Sequence, residues 1–201
     1  TVVVKIASKA DDGLNVLILP KESPAFLPKT HLSDHVSNCE LLWHCLQEGD
    51  ELTGLMGLGT LKGKTILTRK PALISFMEKE PGAKEFSDLQ IGMLLTGFVK
   101  NIMPYGVFVE LPCGLVGLVP LSKMSDKFVT NVNDHFTVGQ TVVAEVTNID
   151  EEKKRFLLTL KMSRCALDDR SAESFARLSQ CMKEIQLSRS LLARHGTILC
   201  E

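Results

Sequence analysis

The sequence predicts an all-β protein made of two small five-stranded barrels in tandem, followed by an amphipathic helix. Three observations lead to this fold class. Residues 91–161 consist of short runs rich in Val, Leu and Phe between turn residues. Landmarks of that region recur 90 to 93 residues earlier in the chain. The C-terminal segment, finally, carries apolar residues at helical spacing.

The second unit, residues 91–163, has the clearer pattern. Inside its predicted strands, apolar residues alternate with others, as in a half-buried sheet. Gly97 lets the first strand bend sharply, as closure into a barrel requires. The polar stretch Ser122–Val138 leaves room for a short helix between the third and fourth strands. The five predicted strands are Met93–Met103, Gly106–Leu111, Leu115–Pro120, Thr141–Ile149 and Phe156–Lys161.

The first unit, residues 1–70, repeats this plan more weakly. Five landmarks keep one order and a nearly constant offset, which indicates a tandem duplication. The glycine-rich stretch Gly54–Thr65 reads as a turn that replaces the compact fourth-strand region of the second unit. The matched landmarks are Gly13 with Gly106, Pro28 with Pro120, "LSD" with "MSD", "EGDEL" with "VGQTV" and "ILTRK" with "LLTLK".

The remaining segments are a linker and a helical tail. Residues 71–90 contain Pro71, Pro81 and Gly82 with an acidic excess, and we expect a partly extended linker. The tail, residues 164–201, is predicted to form a helix over Ser171–Arg194, with Asp168, Asp169 and Ser171 as candidate N-caps. Its apolar stripe favours packing on the second barrel, with docking to a partner or a further repeat as the alternative. The stripe consists of Phe175, Leu178, Met182, Ile185 and Leu192.

The amino-acid composition also limits which kinds of function are expected. The net charge of −1 means that generic attraction to phosphate is weak. No apolar run is long enough to span a bilayer, so no membrane partner is expected. The six cysteines form no C-x-x-C pair, which favours reduced thiols of an intracellular protein. The chain begins with Thr, and we expect it to be a piece of a longer protein.

The second unit resembles an S1 RNA-binding domain, a barrel of the oligonucleotide/oligosaccharide-binding type. The resemblance is carried by "IGMLLTGFVKNIMPYGVFVELPCGLVGLVPLSKMSD" and "FTVGQTVVAEVTNIDEEKKRFLLTLK". It implies that single-stranded RNA lies across strands two and three and stacks on Tyr105 and Phe108. The pleat itself indicates that Val107 and Val109 point into the barrel while Phe108 points out. The other reading of these rings is Phe108 in the core and Tyr105 as a turn residue.

The remaining family contacts carry over unevenly. Asp150 and Arg155 match an acid and an arginine that flank the last turn, and Lys153 and Lys154 are candidates for phosphate contacts. A purely solvated turn is the equal alternative for these charges. Lys100, beside the two rings, is a further candidate. Pro120 stands where the family often has a histidine, which removes one RNA contact.

The first unit departs further from the family pattern. Asp12 and Asn15 stand at the positions of Tyr105 and Phe108, so we expect a degenerate S1-like barrel that is structural or contacts proteins. Tandem, partly degraded S1 units are similar to the eukaryotic ribosomal-RNA-processing protein five family. That resemblance implies a nucleolar protein of the nucleus that binds pre-ribosomal RNA together with other ribosome-assembly proteins. The alternative is a protein–protein interaction scaffold with little RNA affinity.

Three other chemistries find little support. "GLGTLKGKT" lacks the first glycine of a phosphate-binding loop and precedes a predicted strand rather than a helix. His31, His35 and Cys39 would share a helical face, but zinc sites usually contain tight cysteine pairs. No carboxylate cluster or activated nucleophile is visible. We therefore predict no catalytic residue, no metal and no cofactor, and expect that the chain is not an enzyme.

Overall fold

The computed structural model describes residues 1–61, 63–79, 83, 85–127, 132–165 and 170–196. The side chains of residues 61, 79, 134 and 170–177 are not among those described. In chain order, the strands and helices are β1 (Val2–Ala10), β2 (Gly13–Ile18), β3 (Ser23–Pro28), α1 (Val36–Cys45), β4 (Glu51–Leu61), β5 (Lys64–Thr68), α2 (Pro71–Lys79), β6 (Leu94–Met103), β7 (Gly106–Glu110), β8 (Val116–Pro120), β9 (Thr141–Asp150), β10 (Arg155–Thr159), α3 (Met162–Cys165) and α4 (Arg170–Arg194).

The ten strands form two closed barrels, which confirms the predicted fold class. The first has the strand order β1-β2-β3-β5-β4, and the second has the equivalent order β6-β7-β8-β10-β9. In both barrels the third and fifth strands pair in parallel, while the other pairs are antiparallel. The first strand of each barrel also has a register shift at the same place, between Ile6 and Ser8 and between Val99 and Asn101. The shared irregularity supports the tandem duplication.

The core of the second barrel follows the predicted alternation. Val107, Val109 and Val119 are fully buried and meet Phe156 and Leu158 inside the barrel. Between β8 and β9, where a short helix was expected, two 3-10 turns lie at Leu121–Lys123 and Val132–Asp134. Residues 128–131 of this stretch lie outside the described part of the chain.

The segment predicted as a partly extended linker begins with a helix. Residues Pro71–Lys79 form the helix α2, and Phe76 on this helix packs against the core of the second barrel. Proline is compatible with the first position of a helix, because the amide hydrogen that it lacks has no partner there. Pro81 and Gly82 lie outside the described residues.

The tail helix α4 packs on the first barrel, and the prediction that it packs on the second is wrong. Together with residues 1–70, it belongs to one compact unit, whereas residues 71–167 form the other. Leu191 is buried in the first core. Glu184, also buried, accepts hydrogen bonds from Ser33 Oγ at 2.6 Å and Asn38 Nδ2 at 2.7 Å. The N-cap candidates Asp168 and Asp169, and the side chain of Phe175, are not described.

The glycine-rich stretch Gly54–Thr65 is mostly strand rather than turn. It supplies the end of β4 and the start of β5, and a register shift between Gly57 and Gly59 absorbs the extra residue. Gly54, with φ +75°, adopts a backbone conformation that favours glycine. The stretch therefore completes the first barrel, and it leads directly into the strand β5 rather than into the helix that a phosphate-binding loop requires.

The histidines do not share one helical face. His31 lies in the 3-10 turn Lys29–His31, and α1 begins only at Val36. His31 is buried and its Nδ1 lies 3.1 Å from Thr68 Oγ1. Burial, and to a lesser degree the nearby Lys70 ammonium, lowers the pKa of His31 to about 3. In the described residues, no group of three or more His, Cys, Asp or Glu is placed to hold a metal ion.

Candidate nucleic-acid interface

Two aromatic rings stand on the outer surface of the second barrel at the start of β7. Phe108 is half-buried between the core residues Val107 and Val109, so its side chain points outward as the strand pleat predicts. Tyr105 lies in the turn before β7 and is 56% exposed. Their ring centroids are 6.3 Å apart and the ring planes meet at 88°. The two rings therefore present faces in different directions.

Gly106 allows this arrangement, because β7 and β8 approach closely at that residue. A Cβ atom on Gly106 would lie 2.5 Å from the carbonyl oxygen of Val119 and 3.0 Å from Leu118 Cδ1. Gly106 pairs with Pro120, and Phe108 pairs with Leu118, across the two strands. Pro120, at the position where a histidine was expected from the family pattern, is half-buried on the outward side of β8.

Lys100 lies beside the rings but is already paired. It is the extra residue at the register shift of β6, and its Nζ lies 2.9 Å from Glu110 Oε2. Lys100 is half exposed, so the pair contributes little to stability and a phosphate can compete for the ammonium. No local pattern in the sequence indicates this pairing, because it depends on which residues of β6 and β7 face each other.

The turn between β9 and β10 carries the other predicted contacts. Asp150 and Arg155 face each other at the ends of the two strands. The Asp150 carboxylate accepts a hydrogen bond from the Lys153 backbone amide at 3.0 Å, so this acid organises the turn. Lys154, with φ +47°, adopts the left-handed conformation there. The side chains of Lys153, Lys154 and Arg155 are all exposed.

The register connects this turn with the rings on one surface. Leu118 pairs with Phe108 on one side and with Leu157 on the other. Arg155 is two residues from Leu157 along β10 and therefore points to the same outer side. A diagonal path runs from Tyr105 over Phe108 and Leu118 to Arg155. The sequence predicted the two ends of this path, and the pairing of strands defines its middle.

Two further side chains on this surface were missed or left unspecific. Phe98, half-buried on the outward side of β6, pairs with Glu110, which is two residues from Phe108. The alternation of buried Leu95, Gly97 and Val99 could have indicated its outward position. Asn101 is exposed directly opposite Phe108, and its Oδ1 accepts a hydrogen bond from the Ile102 amide at 3.1 Å.

A barrel with outward aromatic rings at the start of its second strand and cations at the last turn is of the kind that binds oligonucleotides. Residues 88–161 match the family described as "S1 RNA binding domain". The chain is 50% identical to human "Protein RRP5 homolog" over 98% of its own length and 11% of that protein. It is 33% identical to "rRNA biogenesis protein RRP5" of Arabidopsis thaliana, over 79% of this chain and 8% of that protein.

A third relative is the "Uncharacterized protein YabR" of Bacillus subtilis, which is 34% identical over 53% of this chain and 88% of that protein. Residues 88–161, which contain the second barrel, thus match the S1 RNA-binding domain family, and the likeness of the chain to the RRP5 proteins extends over both barrels. It spans about a tenth of the length of these RRP5 relatives, 11% of the human protein. In the described residues, no helix is long and apolar enough to cross a membrane.

Proposed function

We propose that the second barrel binds single-stranded RNA along the path from Tyr105 to Arg155. The observation that carries this proposal is the pair of outward aromatic rings, with centroids 6.3 Å apart, at the start of β7 in the S1 unit. Bases stack on aromatic faces with little sequence preference, which suits a protein of net charge −1. Lys100, Lys153, Lys154 and Arg155 hold phosphates, and Asp150 orders the turn that presents three of them.

The cellular role that we propose is the processing of pre-ribosomal RNA and ribosome assembly, as one part of a longer nucleolar protein with several S1 units. It is supported by the likeness to the RRP5 proteins, one of which is named for rRNA biogenesis. In this role the chain positions RNA among other assembly proteins in the nucleus. We propose that it acts by binding alone, without catalysis and without a cofactor.

A titration of the whole chain with a labelled single-stranded RNA tests the RNA-binding role. Replacing Tyr105 and Phe108 by Ala should weaken binding by about 1–3 kcal/mol per lost base contact. The matched control is Val138→Ala, which shortens a 44% exposed apolar residue away from the path and should bind like the unchanged chain. Equal binding by the double variant would show that these rings are not a stacking platform.

The same titration at two salt concentrations separates stacking from charge. Each phosphate neutralised adds about 0.7 to the slope of log affinity against log salt for single strands. Because Lys100 is paired with Glu110, we expect a shallow slope.

The alternative function, a protein scaffold, is favoured by Leu178 and Met182, which are 60% and 52% exposed one turn apart on α4. Absence of measurable RNA affinity would favour that alternative.

A further inference from the structure

The register of the two barrels shows which residues occupy equivalent positions on their outer surfaces. Gly13 pairs with Pro28 in the first barrel as Gly106 pairs with Pro120 in the second. Two residues further along these strands, Asn15 is opposite Phe26, whereas Phe108 is opposite Leu118. The first barrel thus has its aromatic residue at the same level of the surface, but one strand over.

Phe26 occupies the outer side of β3. Its neighbours Ala25 and Leu27 are buried in the first core, while Phe26 is half-buried, as Phe108 is. The ring lies over Gly13, because a Cβ atom there would come within 2.6 Å of Phe26 Cζ. Leu118 covers Gly106 in the same way in the second barrel. A flat π-face therefore stands on this surface where the second barrel has an aliphatic side chain.

A cation and an amide flank this ring. Phe26 pairs with Ile66 as Leu118 pairs with Leu157, so Lys64 is the positional equivalent of Arg155. The Lys64 Nζ donates a hydrogen bond to Asn15 Oδ1 at 3.2 Å, at an exposed position. Asn15 Nδ2 in turn donates to Ser8 Oγ at 3.1 Å. These contacts hold the ammonium and the amide next to the ring, and both groups retain further hydrogen-bonding capacity.

We propose that this surface of the first barrel is a second binding surface for single-stranded RNA. One base stacks on Phe26, Lys64 contacts the adjacent phosphate, and the Asn15 amide contacts the base edge or sugar. Asp12 stands in place of Tyr105, so the surface accepts one base rather than two and binds more weakly than the second barrel. The inference does not depend on the rings of the second barrel.

Four versions of the whole chain test this proposal with a fluorescent oligouridylate of about 12 nucleotides, within the site sizes of such barrels. They are the unchanged chain, the Tyr105→Ala/Phe108→Ala variant, Phe26→Leu, and the combination of all three substitutions. Leucine is the matched replacement, because Leu118 fills the same place over the equivalent glycine. Emission from Trp43, the single tryptophan and a residue of the first barrel, reports whether that barrel remains folded.

We expect residual binding by the Tyr105→Ala/Phe108→Ala variant, and a further loss of about tenfold when Phe26→Leu is added. The proposal is overturned when the double variant has no residual binding, or when the triple variant binds like the double one. When the double variant binds like the unchanged chain while Phe26→Leu weakens binding, the platform of the second barrel fails and this surface stands.

A second variant keeps the test decisive if Phe26→Leu disturbs folding. Lys64→Gln, at an exposed residue, should reduce the salt slope of the double variant by about 0.7, the contribution of one phosphate on single-stranded RNA. Crosslinking of a 4-thiouridine oligonucleotide to the double variant should label the peptide that contains Phe26. An unchanged slope together with labelling confined to other peptides contradicts the proposal.

Discussion

The two barrels have the same strand order but fasten their helices differently. In the second barrel, Arg164 of α3 donates to the buried Glu145 of β9 with Nε–Oε2 at 2.9 Å, and these residues are only 19 positions apart. The arginine lowers the pKa of Glu145, chiefly through this side-chain hydrogen bond. In the first barrel, a buried carboxylate of the helix makes the contact instead. Glu184 of α4 reaches Ser33, which is 151 positions away.

The difference explains why the tail helix packs on the first barrel. Glu184 Oε1 lies 3.8 Å from the half-buried guanidinium of Arg69, while its Oε2 takes both hydrogen bonds. In the second barrel the residue equivalent to Arg69 is Leu160, which is buried in the core. A buried carboxylate needs a charge partner and donors, and the first barrel supplies both. The buried polar contacts of Glu184, together with the burial of Leu191, therefore hold the helix on the first barrel.

The largest effect should come from breaking this network. Glu184→Ala leaves Arg69 and two buried donors without their partner, and we expect a loss of about 3–5 kcal/mol in the free energy of unfolding of the first barrel. Trp43 emission during urea unfolding measures that barrel, and amide hydrogen exchange in β6–β10 measures the other. Gln186→Ala, at an exposed position two residues along the same helix, is the control. A loss shared equally by both barrels, or no loss, would contradict this account.

A smaller effect should distinguish the cores of the two barrels at equivalent positions of β3 and β8. A Cβ atom on Gly117 would lie 2.4 Å from the ring of Phe156, whereas the first barrel has the buried Ala25 at the equivalent position, paired with Thr65. Gly117→Ala should therefore destabilise the second barrel by about 1–3 kcal/mol through overpacking. Hydrogen exchange in β6–β10 measures the loss.

The variant Gly114→Ala, in the turn before β8, tests whether overpacking is the cause. Gly114 has open space around its Cα but a φ of +85°, so its alanine variant is strained without any clash. We expect that strain to cost about 1 kcal/mol, less than the clash at Gly117. Equal tolerance of alanine at both positions would mean that Phe156 moves aside freely.

The strands were predictable because each has a local signal. Alternation of buried and outward residues, together with turn residues at the ends, placed all five strands of the second barrel within about two residues. The outward position of Phe108 followed from the same period of two. The tandem repeat was visible because glycines and prolines at strand ends recur at one offset.

The features that the sequence did not predict depend on contacts between strands or between distant parts of the chain. The tail helix has an apolar stripe in the sequence, but its partner is selected by Glu184 and residues about 150 positions away. The ion pair of Lys100 with Glu110 depends on a register shift that no local pattern shows. Phe26 lies on β3, one strand away from the position equivalent to Phe108, so an alignment of the two units does not indicate it.

The third effect concerns pH and acts on the first barrel. His31 is buried against Thr68, and burial lowers its pKa to about 3. The equivalent residue of the second barrel is Lys123, so a matching titration is absent there. Between pH 6.5 and 3 the unfolded chain binds a proton at His31 that the folded barrel does not bind. The contribution of neutral His31 to the free energy of unfolding is therefore fully present above pH 6.5, and it is lost progressively as the pH falls below that value.

Because of this histidine, we expect the free energy of unfolding of the first barrel to fall by about 1.4 kcal/mol per pH unit below pH 6.5. Urea unfolding followed by Trp43 emission between pH 5 and 7 measures the slope. His31→Gln should make the slope shallower by that amount, although the variant is less stable at neutral pH. His44→Gln, at an exposed histidine of α1, should leave the slope unchanged. Equal slopes in His31→Gln and the unchanged chain would mean that protonation of His31 costs the folded barrel nothing, and that the buried ring is not what distinguishes the two barrels at low pH.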